Sequence, residues 1–154
     1  MYWYKYLGAE NLDEDSTINL MSTEYALKNN ILRQKGAPSQ KQNQTSDTFD
    51  YKWKKRDTYE SNNVHDHSRT WLMERYLGGE KNASLLQSWL PDGAKFLDAG
   101  CGAGFSALLL FNEYINKINY LGVEISNAVD VALNRFNEIN VKGEFLQADL
   151  MNLP

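Results

Sequence analysis

The sequence predicts an α/β fold built on a parallel sheet with crossover helices. Three observations carry this. From Lys95 onward the chain reads as strand, helix, strand, helix, strand. The strands are nearly continuous apolar runs, the pattern of strands covered on both faces. Gly100, Gly102 and Gly104 stand between the first strand and its helix, with Asp98 at the end of that strand. This order requires right-handed crossovers, and ligands of such sheets bind at the carboxyl ends of the strands.

Composition bounds the reading. The chain has 154 residues, 42% of them hydrophobic, enough for one core of ordinary size with an appendage. A formal net charge of -4 argues against a dedicated nucleic-acid or anionic-membrane binder. Cys101 is the only cysteine, so there is no intrachain disulfide, which suits a reducing compartment. The start, "MYWYKYLGAENLDED", lacks the basic end and apolar stretch of a signal peptide. No apolar run approaches the ~20 residues that span a bilayer. A soluble cytoplasmic protein is expected.

Three segments follow one another. Residues 1–48 are read as an N-terminal helical or irregular extension ending in a polar linker, "QKGAPSQKQNQTSD" (Gln34 to Asp47). Within it, Thr23 to Leu32 is open between a short helix and a hairpin. Residues 49–91 form an aromatic lead-in with helices. "FDYKWKKRDTY" (Phe49 to Tyr59) fits a strand or successive helical turns. His65 to Leu77 has helical spacing, with Trp71, Leu72, Arg75 and Tyr76 at positions that meet, and Gly78-Gly79 to stop it. "NASLLQSWL" is a helix with Asn82 as N-cap and Leu85, Leu86, Trp89 and Leu90 on one face.

Residues 92–154 hold the regular part. "KFLDA", "INYLGVEI" and "GEFLQAD" are the strands; "GFSALLLFNEYIN" and "SNAVDVALNRFNEI" are the helices. Ser126 is the expected N-cap of the second helix, and Val129, Leu133, Phe136 and Ile139 form its apolar stripe.

The glycine loop excludes two common ligand classes. In the dinucleotide pattern G-x-G-x-x-G/A the last position falls on Phe105. No Gly-Lys-Ser/Thr follows, so it is not a phosphate-binding P-loop. Asp98 at the strand end would repel a pyrophosphate and suits a ligand with positive charge nearby.

"FLDAGCGAG", "YLGVEIS" and "FLQADLMNLP" together resemble, in order, three motifs of the class I S-adenosylmethionine-dependent methyltransferases (methyltransferase type 11-like), over Lys95 to Pro154. The resemblance implies a Rossmann-like, doubly wound parallel sheet. Only its first three strands are expected here, so the chain is expected to be a fragment, or else a short chain completed by a partner. It implies S-adenosyl-L-methionine as cofactor and a small-molecule methyl acceptor, with nucleic acid and membrane not expected as partners. Asp98 would then lie near the cationic methionine portion. Gly100, Cys101, Gly102 and Gly104 would make room for the cofactor. Glu124 would accept from the ribose hydroxyls, and Ile125 would pack on the adenine. Asp149 would accept from the adenine amino group, with Leu150 at the ring edge.

A weaker resemblance, over Glu24 to Tyr59, is to the segment before the catalytic domain of some small-molecule methyltransferases. It implies a lid of Phe49, Tyr51, Trp53 and Tyr59; the cysteine-rich zinc module that often accompanies it is absent. No metal site is expected, because His65 and His67 stand without nearby cysteines. The catalytic base is not assigned. The alternative function is a non-catalytic S-adenosylmethionine-binding or partner subunit; a nicotinamide-dependent oxidoreductase is disfavoured by Asp98 and Phe105.

Overall fold

A computed structural model describes residues 2–36 and 61–154. The aromatic segment Phe49 to Tyr59, with the expected lid residues, lies outside the described residues. The sheet has six strands: β1 (Thr17–Leu20), β2 (Thr23–Lys28), β3 (Ile31–Gln34), β4 (Lys95–Ala99), β5 (Asn119–Glu124) and β6 (Glu144–Gln147). Their order is β1-β2-β3-β6-β5-β4. The last three in sequence are the strands expected from the motifs, and they pair in parallel.

The expectation of only three strands is corrected. The amino-terminal extension is helical only at Trp3–Tyr6 and irregular only as far as Ser16; from Thr17 to Gln34 it is an antiparallel meander that joins the sheet through a parallel β3–β6 pair, Leu32 facing Leu146 and Arg33 facing Gln147. The hairpin is closed by Asn29 and Asn30, both at positive φ (53° and 58°). Two left-handed residues are what a two-residue hairpin loop demands, and Asn tolerates that region better than most side chains.

Helices α1 (Trp3–Tyr6), α2 (Asn62–Leu77), α3 (Leu85–Trp89), α4 (Phe105–Phe111) and α5 (Ala128–Glu138) complete the regular structure. Strands β4, β5 and β6 advance in one direction across the sheet, so both right-handed crossovers place their helices on the same face. Met73 and Leu77 of α2, Ala107 and Phe111 of α4, and Val129 and Phe136 of α5 share one core with Tyr120 and Phe145. The opposite face is covered by the amino-terminal segment: Tyr4, Ala9 and Tyr25 pack with Leu32, Leu121, Val123 and Leu146. Among the described residues the sheet is therefore mixed, with crossover helices on one face only; the doubly wound, wholly parallel sheet that was expected is not seen there, because the strands added beyond β6 come from an antiparallel meander and not from further crossovers.

Several helix details differ from the sequence reading. Helix α2 ends at Gly78 (φ 72°), whose N–H and that of Gly79 bond to Glu74 and Met73 carbonyls, a left-handed glycine stop. Its buried residues are Leu72, Met73 and Leu77, while Trp71 and Tyr76 are exposed. Asn82 does not cap α3; its side chain donates to the Leu77 carbonyl instead, and Ser84 precedes the helix. In α5 the buried stripe is Ala128, Val129, Ala132, Arg135 and Phe136, and Ile139 is exposed. Asn127 is the N-cap residue, although the Ser126 hydroxyl accepts from the Ala128 N–H at 3.2 Å.

Candidate functional site

The site is built where β4, β5 and β6 end. After Ala99 the chain turns at Gly100 (φ 83°), and the N–H groups of Gly100 and Cys101 both donate to the Val123 carbonyl (2.8 and 3.0 Å). The glycine loop is thus tied to the neighbouring strand before α4 begins. A methyl group at Gly100 would meet only Leu150 Cδ1, at 4.0 Å, so this glycine faces open space. Gly104 (φ 71°) serves packing instead: a methyl group there would lie 3.0 Å from the Phe136 ring and 3.2 Å from Ala132 Cβ. It brings α4 close to α5.

Glu124 ends β5 and is 8% exposed. One carboxylate oxygen accepts from the Gly102 N–H at 3.1 Å, and the other accepts from the Ser126 N–H at 2.9 Å. A carboxylate has about four lone-pair sites, so both oxygens keep acceptor capacity while the backbone holds them in place.

A hollow of about 390 Å³ opens over this floor. Gly100, Cys101, Gly102, Glu124, Ile125, Asp149 and Leu150 line it, all anticipated from the sequence. Gly104 and Asp98 do not. Asp98 faces an adjoining apolar hollow beside Trp71, Trp89 and Phe96, and Ser106 borders both. Ala103, Phe105 and Ser106 also line the first hollow and were not anticipated. Phe105 entered the sequence argument only as a mismatch to a dinucleotide pattern, yet its place in the first turn after the glycines was the signal.

Electrostatics separate the two thiol and carboxyl candidates. Burial raises the Asp98 carboxyl above its ordinary range; the Tyr120 hydroxyl, donating at 2.7 Å, opposes this, and the Glu124 charge adds to it. Burial pushes the Cys101 thiol far up, with Asp98 and Glu124 adding to the effect. Cys101 is therefore a small wall residue, not a nucleophile.

Asp149 has a structural task as well. Its carboxylate accepts from the Met151 N–H (3.0 Å) and the Asn152 side-chain amide (2.9 Å), capping the 3₁₀ turn Leu150–Asn152. Its own N–H donates to the Gln34 side chain at 2.9 Å. His65 packs edge-on to Phe105, with ring centroids 5.8 Å apart, and does not line the hollow. Among the described residues no group of three or more His, Cys, Asp or Glu is placed to hold a metal ion. No helix among them is long and apolar enough to cross a membrane.

The sheet and its site define a Rossmann-like α/β protein with an open hollow at the glycine loop. No family model and no curated protein matches the chain. Solved structures resemble parts of it. A SAM-dependent methyltransferase from Aquifex aeolicus is 26% identical, with 46% of this chain and 39% of that chain covered and a TM-score of 0.39. The cyclase SpnF is 29% identical, with 48% and 28% covered and a TM-score of 0.40. The plantazolicin methyltransferase BpumL, solved with SAH, is 20% identical, with 74% and 46% covered and a TM-score of 0.38. The chain spans less than half the length of each of these three. Likenesses of this extent are partial, and function rests on the chain's own residues.

Proposed function

We propose that the chain binds S-adenosyl-L-methionine and belongs to a methyltransferase acting on a small-molecule acceptor. The observation that carries the reading is Glu124, fixed by two backbone N–H groups at the lip of a glycine-walled hollow. A buried, oriented carboxylate with acceptor capacity left suits a vicinal pair of ribose hydroxyls. Gly100 leaves the space that a nucleoside or amino-acid tail would need, and Ile125 and Leu150 offer apolar walls to a base.

The cofactor supplies an electrophilic methyl group on a sulfonium. The chain's residues would bind and orient it. Asp98 does not line the glycine-walled hollow; from the adjoining one, which Ser106 also borders, it would serve as a counter-charge for the cationic methionine portion. Asp149, which lines the hollow, would accept from a base amino group with the acceptor capacity left beside its Met151 and Asn152 contacts. The Asp98 position also disfavours a pyrophosphate, which separates this reading from a nicotinamide cofactor.

Ligand-dependent melting tests the proposal. A ligand that binds only the folded chain raises its Tm. S-Adenosylhomocysteine is expected to raise it and NAD to leave it unchanged; the reverse pattern contradicts the reading.

A second reading, a non-catalytic adenosyl-binding or partner subunit, is favoured by one observation. Among the described residues strand β4 lies at the sheet edge, and Leu97 on it is 45% exposed. Such an edge is a pairing surface. Methyl transfer by the chain without another protein would reject this second reading.

A further inference from the structure

The amino-terminal meander reaches the candidate site. Strand β3 runs parallel to β6 and ends beside it, so its last two residues stand next to the two loops that border Ile125 and Asp149. On one face, Arg33 makes a two-pronged ion pair with Asp130 (2.6 and 3.1 Å) and donates to the Gln147 side chain at 2.6 Å. Gln147 in turn donates to the Ile125 carbonyl at 3.3 Å. On the other face, the Gln34 side-chain oxygen accepts the Asp149 N–H at 2.9 Å.

The second contact is the informative one. Asp149 lies beyond the end of β6, where the ladder no longer supplies a partner for its N–H. A half-buried backbone donor needs an acceptor. Gln34 provides it from a strand that the crossover unit itself does not contain. The Asp149 backbone is thus held by Gln34 on one side, and its carboxylate accepts from Met151 and Asn152 on the other.

We propose that Gln34 is a positioning residue for the base subsite: it fixes Asp149 against the amino edge of an adenine, so the amino-terminal meander sets the base preference. This rests on the adenosyl reading above.

The test compares two ligands on the full chain by calorimetry: S-adenosylhomocysteine and its inosine counterpart, whose base carries a carbonyl in place of the amino group. The preference for the adenosyl ligand is expected to fall about threefold to tenfold in Gln34→Met, which keeps the length and removes the acceptor. Gln34→Glu, which keeps an acceptor oxygen, retains the preference. Lys35→Ala, which breaks the exposed ion pair with Glu24 on the same segment, leaves it unchanged. An unmoved preference in Gln34→Met overturns the proposal, and so does an equal fall in Lys35→Ala. Should Gln34→Met fail to fold, the shorter Gln34→Asn carries the same expectation and the same overturning result. If the unaltered chain binds neither ligand, the adenosyl reading fails and this inference with it. If it binds the adenosyl ligand and the preference does not move, only the role of Gln34 is lost.

Discussion

Gly102 and Glu124 meet at 3.1 Å, backbone N–H to carboxylate, across the gap between the glycine loop and the end of β5. The contact joins the two halves of the site before any ligand arrives. It costs the carboxylate part of its acceptor capacity and in return removes its freedom to swing. A ligand with two hydroxyls then meets an acceptor that is already ordered, which lowers the entropy lost on binding.

The two glycines flanking this contact have different tasks, and alanine separates them. Gly100→Ala places a methyl group in open space facing the hollow, so S-adenosylhomocysteine affinity falls, with a stability cost of about 1 kcal/mol from the positive φ alone. Gly104→Ala adds a clash with Phe136 and Ala132 to the same backbone strain and costs about 2 kcal/mol or more, while the folded protein keeps its affinity. Urea unfolding and calorimetry on both variants read the two effects. Loss of affinity in Gly104→Ala at concentrations where it is folded would restore Gly104 to the site.

Asp98 makes stability depend on pH. Its carboxyl is raised above the ordinary 3.8 by burial, opposed by the Tyr120 hydrogen bond and reinforced by the Glu124 charge. Between the ordinary and the raised value the native chain holds more protons than the unfolded chain. The contribution of this group is therefore most favourable below the ordinary value and is lost as pH rises through the raised one. Asp98→Asn removes that loss, so its urea midpoint, measured from about pH 4 upward, is flatter than that of the unaltered protein over the window. Equal slopes in the two proteins contradict the assignment.

Glu144 anchors the amino terminus. Its carboxylate accepts the N–H groups of Tyr2, Trp3 and Tyr4 at 2.7, 2.8 and 2.6 Å, capping a four-residue helix from the far end of the chain. A helix this short has no stability of its own. Glu144→Ala is expected to cost about 2 kcal/mol and to free α1, read as loss of amide protection at Tyr4. Full protection at Tyr4 in the variant would mean that apolar packing alone holds α1.

Much of the site was legible because it lies at strand ends. Each motif joins a short apolar run to a glycine or a carboxylate, and the end of the run marks where the chain leaves the sheet. Glu124 and Asp149 were reached through the resemblance of these strand ends to family motifs. The meander was not legible. Strand β1 is four residues of mixed polarity, "TINL", and its pairing partner β2 is six. The Asn29-Asn30 pair was the local signal for the hairpin, but no local rule says that β3 joins β6. The exposure of Trp71 and Tyr76 was equally hidden: helical spacing tells which residues share a face, not whether another element covers it.

The central claim is that Glu124 holds a ribose. Calorimetric titration of S-adenosylhomocysteine into the unaltered chain and into Glu124→Gln tests it most directly. The account predicts one saturable site in the first and an affinity weaker by more than about tenfold in the second, since a hydrogen-bonding carboxylate is replaced by a neutral amide that also faces two N–H groups. Equal affinities in two folded proteins, or no binding by the unaltered chain, would contradict it.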